Sequence, residues 1–287
     1  MRRLHAPSPA RLVDLLCTPT DEPPAAGVQR LVELVVARLG SAPRTSSGTT
    51  TIDAFVAEHG PARFAAPFRW SARTARRPLG PGALRRLAAG TSVGVLDAAH
   101  EEVDASCDRA QRGLARRGAL GTWLAAAPRE VRAVCAAEAA TWATGLCHLV
   151  DWDASADRVA IGVPDAWYGV PGAPVTLHGR RDAASVHRAT VAPGLLRLRD
   201  GAPGERAVEG LLVDGLVAAM SRPSSAGAAG SMPSRVIGAW PDAGCVLLVD
   251  LDAEHLRRAA RTIVQCAAAA PSHVQSASAH LDSAVAA

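Results

Sequence analysis

The alternation of apolar and polar positions is loose in the first part of the chain and sharpens after Pro128. Before it, GVQRLVELVVARLG (27–40) is spaced as one amphipathic helix closed by Gly40, and GSAPRTSSGTTT (40–51) reads as a linker. After it, PREVRAVCAAEAATWATGLCHLVDW (128–152) opens with proline at the first helical position and Glu130 in the first turn, a well-formed helix start. The apolar stripe of this helix runs Val131, Cys135, Trp142, Leu146, Leu149, and Glu138 falls within it. A carboxylate on a core-facing stripe must be paired, protonated or bound to something, a hydrogen bond to a neighbouring strand or tryptophan being the plain case.

Short β-rich runs follow: RVAIGV (158–163), VTLHGRRDAA (175–184) and LLRLR (195–199). A helix over 204–220 precedes two further strands, RVIGAW (235–240) and CVLLVDL (245–251), joined by a turn at Pro241–Gly244. Asp252 is placed to cap a last helix over 253–268. The order α-β-β-β-α-β-β-α predicts an α/β fold, a mixed sheet flanked by helices and preceded by a helical N-terminal region. The division expected is a variable leader with its linker at 1–62, an arginine-rich helical segment at 63–124, an α/β core at 125–270 and a disordered tail at 271–287. The stretch 221–234 reads as a flexible connection.

Composition changes this picture in one respect. The chain has no lysine and no asparagine, so all 31 cationic side chains are arginine, the usage of a very GC-rich, actinobacterial coding sequence. A Schiff-base lysine and a phosphate-loop lysine are thereby excluded, and arginine, protonated at any working pH, holds phosphate but shuttles protons poorly. The +4 formal charge and pI near 9.0 are compatible with nucleic acid without singling it out. Between Arg63 and Arg117 there are 11 arginines against 5 acids, a net +6. Arg73, Arg76, Arg77, Arg85 and Arg86 in this stretch are candidate phosphate contacts, the alternative being a solvated helical face. Six scattered cysteines without a CxxC pair argue against a zinc knuckle and for reduced thiols in the cytoplasm. No apolar run approaches the length of a membrane span, so no membrane partner is expected.

The strand order, with GRRD (179–182) on the second strand, resembles the PD-(D/E)XK nuclease superfamily, in particular its RecB-like branch. The resemblance covers roughly Ala125 to Ala269, about half the chain, and PDAWYGVPGAPVTLHGRRD (164–182) carries most of it. It implies a restriction-endonuclease-like core in which a helix glutamate, a GRxD aspartate and an acid-x-Lys pair on the next strand hold Mg²⁺ for phosphodiester hydrolysis. Carried over by position, Asp182 matches the aspartate and Glu138 the helix glutamate, while Arg197 and Arg199 stand at the acid and lysine positions. The two arginines share one face of the strand, and Asp200 lies one residue beyond, out of register with it. Two cations beside two acids predict a salt-bridged cluster in place of a metal site, or a grip on phosphate without cleavage.

The resemblance therefore implies a catalytically degenerate nuclease-like protein, without cofactor, that binds DNA or a protein of a DNA-processing complex. Two alternatives stand beside it. One is a live Mg²⁺-dependent nuclease using Glu138, Asp182 and Asp200; the other is a structural subunit that never meets nucleic acid. Rival motifs are weaker. HEEVD (100–104) lacks the second histidine of a zinc helix, and His148, His178 and His187 each stand alone as hydrogen-bonded structural histidines. Trp152, Trp167 and Tyr168 read as core anchors, with base stacking as the alternative use.

Overall fold

A computed structural model describes residues 1–5, 7–18, 20, 28–40, 50–60, 69–114, 119–163, 165–186, 194–221 and 233–269. Most of the expected linker, the connection at 222–232, the tail from 271 and His187 lie outside these residues.

In chain order the elements are β1 (Arg2–His5), α1 (Pro9–Cys17), α2 (Val28–Gly40), β2 (Thr50–Asp53) and α3 (Ala54–His59). There follow α4 (Ala72–Ala88), α5 (Val95–Gln111), α6 (Leu120–Ala126), α7 (Arg129–Val150), α8 (Trp152–Ser155) and β3 (Val159–Ile161). The chain then runs through β4 (Ala166–Gly169), β5 (Val175–Gly179), β6 (Ala183–Ser185) and β7 (Gly194–Leu198). It closes with α9 (Ala207–Met220), β8 (Arg235–Trp240), β9 (Cys245–Asp250) and α10 (Ala253–Ala268). These elements form two compact units, residues 1–67 with 164–287, and residues 68–163 inserted between them. This division differs from the expected one: the segment 1–62 shares a unit with the late strands, and α7 shares one with the arginine-rich helices.

The discontinuous unit is a mixed α/β structure. In its larger sheet the strands run β1-β9-β8-β7-β6, antiparallel except for the parallel pair β7 and β8. A parallel pair requires a crossover, and α9 supplies it. A smaller sheet has the order β2-β5-β4, with β2 parallel and β4 antiparallel to β5. Helix α9 is apolar nearly all round and packs against β4, β5, β8, α3 and α10, which is what permits such a sequence to be a helix. The core of this unit gathers around its Leu211, Leu212, Leu216 and Val217, with Trp240, Leu256 and Ile263.

The single run 175–184 forms two strands, β5 and β6, in different sheets. The break has a packing cause. A Cβ at Gly179 would lie 2.9 Å from the Val217 Cβ and 3.1 Å from the Asp214 carbonyl, so the chain passes α9 there at backbone contact. The next amide, Arg180 N–H, leaves the ladder and donates to Asp214 Oδ1 at 2.7 Å.

The early residues are built into this unit by specific bonds. Strand β1 pairs with β9 from Arg2 opposite Leu248 to His5 opposite Cys245. Helix α1 is capped by Ser8, which accepts from Arg11 N–H, and it buries Leu12, Val13 and Leu16. Its last carbonyls, on Leu15 and Thr18, accept from the buried Arg235 guanidinium of β8, a cation at the negative end of a helix.

The inserted unit is helical apart from β3. Helices α4, α5 and α7 pack on one another through small side chains, among them Ala75, Ala83, Ala98, Ala99, Ala136 and Ala139, and α6 packs on α5. Among the described residues α7 alone is long and apolar enough to cross a bilayer, and it packs against α4 and α5. Capping of α4 is reciprocal: Ser71 accepts from Thr74 N–H while the Thr74 hydroxyl accepts from Ser71 N–H.

The seat of α1 can be tested at Gly194, where a Cβ would run into the Leu16 carbonyl. Gly194→Ala is expected to cost about 1–3 kcal/mol by overpacking, and Leu16→Ala about 2–5 kcal/mol by cavity formation. Both are read from denaturant unfolding. Parent-like midpoints for both would show that α1 contributes nothing to the unit.

Candidate functional site

Arg197 of β7 and Arg199 just beyond its end do face acids of the larger unit, and both are engaged. Arg197 is buried, its side chain 3% exposed, with Nη1 3.3 Å from Asp214 Oδ2 and Nε 3.9 Å from Asp182 Oδ2. Asp182 also accepts the Leu198 N–H at 2.7 Å, and its own N–H donates to the Leu196 carbonyl at 2.9 Å. The carboxylate is thus fastened to the very strand that carries Arg197. Asp214, in the middle of α9, has a fully buried side chain and accepts from the Arg180 amide as well as facing Arg197.

Arg199, two residues along, donates to Glu58 Oε2 at the end of α3, and its guanidinium lies over the Trp240 ring at 5.6 Å from the centroid. Glu58 is nearly buried, and burial pushes its carboxyl above the ordinary range; the hydrogen bond and charge of Arg199 oppose this shift, Asp214 adds to it, and Arg197 opposes it. Gly210 of α9 makes room for it, since a Cβ there would collide with Glu58 Oε1. The acids of the cluster are Glu58, Asp182 and Asp214, its cations Arg197 and Arg199.

Asp200 stands exposed just beyond β7. Glu138 belongs to the inserted unit. Its side chain is 38% exposed and its Oε2 lies 3.4 Å from Arg76 Nη1. The buried side of α7 runs through Cys135, Ala139, Trp142, Ala143, Leu146 and Val150, which puts Glu138 on the margin of the stripe. Arg86 pairs with Glu102 at 3.1 Å and Glu101 at 3.6 Å, and Arg85 donates to the Gly162 carbonyl. Arg77 is partly buried, while Arg73 is exposed on α4. Ion pairs with acids of the same unit therefore take up Arg76 and Arg86.

Asp214 and Glu58 carry the cluster as much as Asp182 does, and sequence reading passes over both. Asp214 could have been found by asking what a lone acid does in GLLVDGLVAAM, an otherwise apolar helix; Glu58 ends the short AFVAEH, which carries too little periodicity to define a face.

A second polar group lies on the smaller sheet. Register aligns Asp53, His178 and Trp167 in one row across β2, β5 and β4. His178 Nε2 is 2.9 Å from Asp165 Oδ2 and Nδ1 is 4.0 Å from Asp53 Oδ2. Arg180 Nη2 donates to Asp53 Oδ2 at 3.1 Å, and Arg181 N–H to Asp165 Oδ1 at 3.2 Å. The Trp167 ring stacks on the His178 imidazole, centroids 3.9 Å apart and planes at 12°, yet the residue is 56% exposed. Trp167 is therefore no core anchor.

Among the described residues no three His, Cys, Asp or Glu side chains are placed to hold one metal ion. No family model, curated protein or solved structure matches this chain.

Two outcomes test the cluster. Arg197→Met and Asp214→Leu each strand a buried charge, and each is expected to cost about 3–5 kcal/mol of stability. The double variant, which strands less, should be less harmful than their sum; strict additivity in denaturant unfolding would show the two groups uncoupled. For Glu58 the folded pKa lies above the unfolded one, so its stabilising contribution is present in full below the ordinary carboxyl pKa. That contribution is lost as pH rises through the raised value. Parent stability should therefore gain on Glu58→Gln as the medium is acidified from neutrality to the ordinary carboxyl pKa. Parallel melting curves across that window would refute the assignment.

Proposed function

We propose that this chain is a nuclease-like α/β protein whose phosphodiester-cleaving site has become a closed salt-bridge cluster, leaving a non-hydrolytic binding module. The observation that carries this is the position of Arg197, buried between Asp182 and Asp214. In the PD-(D/E)XK resemblance that strand position belongs to a metal-binding acid.

Hydrolysis of a phosphodiester by that route needs carboxylate oxygens turned toward a cation that keeps water in its shell. These residues fit magnesium poorly. Asp182 and Asp214 spend oxygens on backbone amides, and both face a fixed guanidinium whose charge repels a divalent ion. The cluster also suits a phosphate grip poorly, because Arg197 is 3% exposed and Arg199 is held by Glu58 against the Trp240 ring. Binding is accordingly assigned to surfaces outside the cluster, with nucleic acid, with which the chain's charge of +4 is compatible, as the partner.

The structural-subunit reading has one observation of its own: the pairing of Arg76 with Glu138 and of Arg86 with Glu101 and Glu102 spends cations that the phosphate-contact reading of α4 requires.

With Mg²⁺ or Mn²⁺ present, purified protein is expected to leave single- and double-stranded DNA intact, and calorimetry to show no specific divalent site of micromolar affinity. Metal-dependent cleavage abolished by Asp182→Ala overturns the proposal in favour of a live nuclease.

A further inference from the structure

The geometry points to a base-stacking platform for single-stranded nucleic acid on the outer face of the β2-β5-β4 sheet, centred on Trp167. It rests on the reading of the chain as a binding module and names a site for it away from the salt-bridge cluster.

Three observations build the platform. The first is the stack itself. One face of the indole is covered by the imidazole of His178 at 3.9 Å and 12°, so the 56% exposure of Trp167 belongs to its other face and its edges. A large aromatic ring left this open on a strand forgoes burial worth about 2 kcal/mol or more, which sets it apart from the buried Trp142 and Trp240. The second is how firmly the ring is carried. His178 is buried and bonded to Asp165 through Nε2, with Asp53 on its Nδ1 side, while the inner face of the sheet, with Ile52, Leu177 and Ala166, is buried in the core. A rigid aromatic surface loses little conformational freedom on binding.

The third observation is what lies beside the ring. Two residues along β4, on the same face, is Gly169, paired with Thr176, and a Cβ there would meet nothing within 4 Å. The strand beside the tryptophan thus carries no side chain at Gly169, and Thr176 and Thr51 in its row offer hydroxyls. At the far end the Arg180 guanidinium, 34% exposed, lines the platform while bonded to Asp53. Asp165 is the carboxylate nearest the stack, and it is taken by His178 and the Arg181 amide.

A pair of parallel rings is extended by a third flat ring, and a nucleobase supplies one with a phosphate attached. Every base has a π-face, so such a platform reads strand accessibility with little regard to sequence. The strand must be single, because a duplex buries its base faces within its own stack. The phosphate attached to a stacked base would meet the exposed part of the Arg180 guanidinium, a contact that a neutral sugar or peptide does not make.

The test is fluorescence anisotropy of a labelled oligodeoxyadenylate with the full chain at low salt, beside a hairpin duplex of the same length. The parent is expected to bind the single strand and to bind the hairpin at least several-fold more weakly. Trp167→Ala should weaken single-strand binding by about tenfold, the order of one lost base stack, and Trp167→Phe should recover most of it. Gly169→Glu, which puts a carboxylate on the surface beside the ring, should weaken binding similarly and keep the parent's melting temperature, so that a folding defect in Trp167→Ala cannot decide the matter alone. No binding by the parent, equal binding of single strand and hairpin, or parent-like affinity in Gly169→Glu and Trp167→Ala each overturns the platform. Cleavage of the oligonucleotide with Mg²⁺ overturns the non-hydrolytic reading while leaving the platform standing; intact but unbound oligonucleotide does the reverse.

Discussion

A carboxylate in the middle of an apolar helix must be met by something, and in this chain Asp214 of α9 is met by Arg197 of β7. The requirement spreads outward. To meet it, β7 must present the Arg197 guanidinium toward α9; to hold β7 so, Asp182 bonds the Leu198 amide of the same strand. To satisfy the second oxygen of Asp214, the chain after Gly179 must leave β5 and present the Arg180 amide, which divides one extended run between two sheets. Glu58 and Arg199 continue the pattern toward α3 and Trp240. The crossover helix and both sheets are thus tied to one network of opposed charges. Such a network is costly to break at one member, whatever its net contribution when whole.

A guanidinium at the centre of this network behaves differently from a metal ion at the same place. It is tethered by the backbone, needs no uptake from solvent, and cannot exchange a water ligand for a substrate oxygen. The group whose charge burial perturbs is at the edge of the cluster, on Glu58. The resemblance in the GRRD strand and the chemistry of the strand after it therefore point in different directions, and the geometry supports the second.

The late elements were legible because each carries its own evidence: α7, α9 and α10 have length, caps or unbroken apolar content, and β8 and β9 are six-residue β-branched runs around a turn. Strands β1, β2 and β4 were not. Each has four residues and no clear alternation, and what makes them strands is a partner elsewhere, 248 paired with 2 or 178 with 53. The candidate site divides in the same way. Asp182, Arg197 and Arg199 stood out through a motif and a period of two. Glu58 and Asp214 answer to groups remote in sequence, and Glu138, conspicuous on its helical stripe, answers to Arg76 in its own unit. Trp167 was read by its residue type as interior, whereas the cross-strand position opposite His178 puts it outside.

The pairing of β1 with β9 has a consequence for synthesis. The chain is made from its N-terminus, so Arg2–His5 leaves the ribosome more than two hundred residues before the strand it pairs with. In that interval residues 68–163, which form a compact unit with its own buried core, can complete their packing. The first strand meanwhile waits with its backbone groups unpaired, open to the wrong partner. Arg2 and Arg3 put a charge on each face of this short edge, and edge charges discourage another strand from adding. The large unit is in this sense assembled around a delay, since one of its earliest strands closes against one of its last.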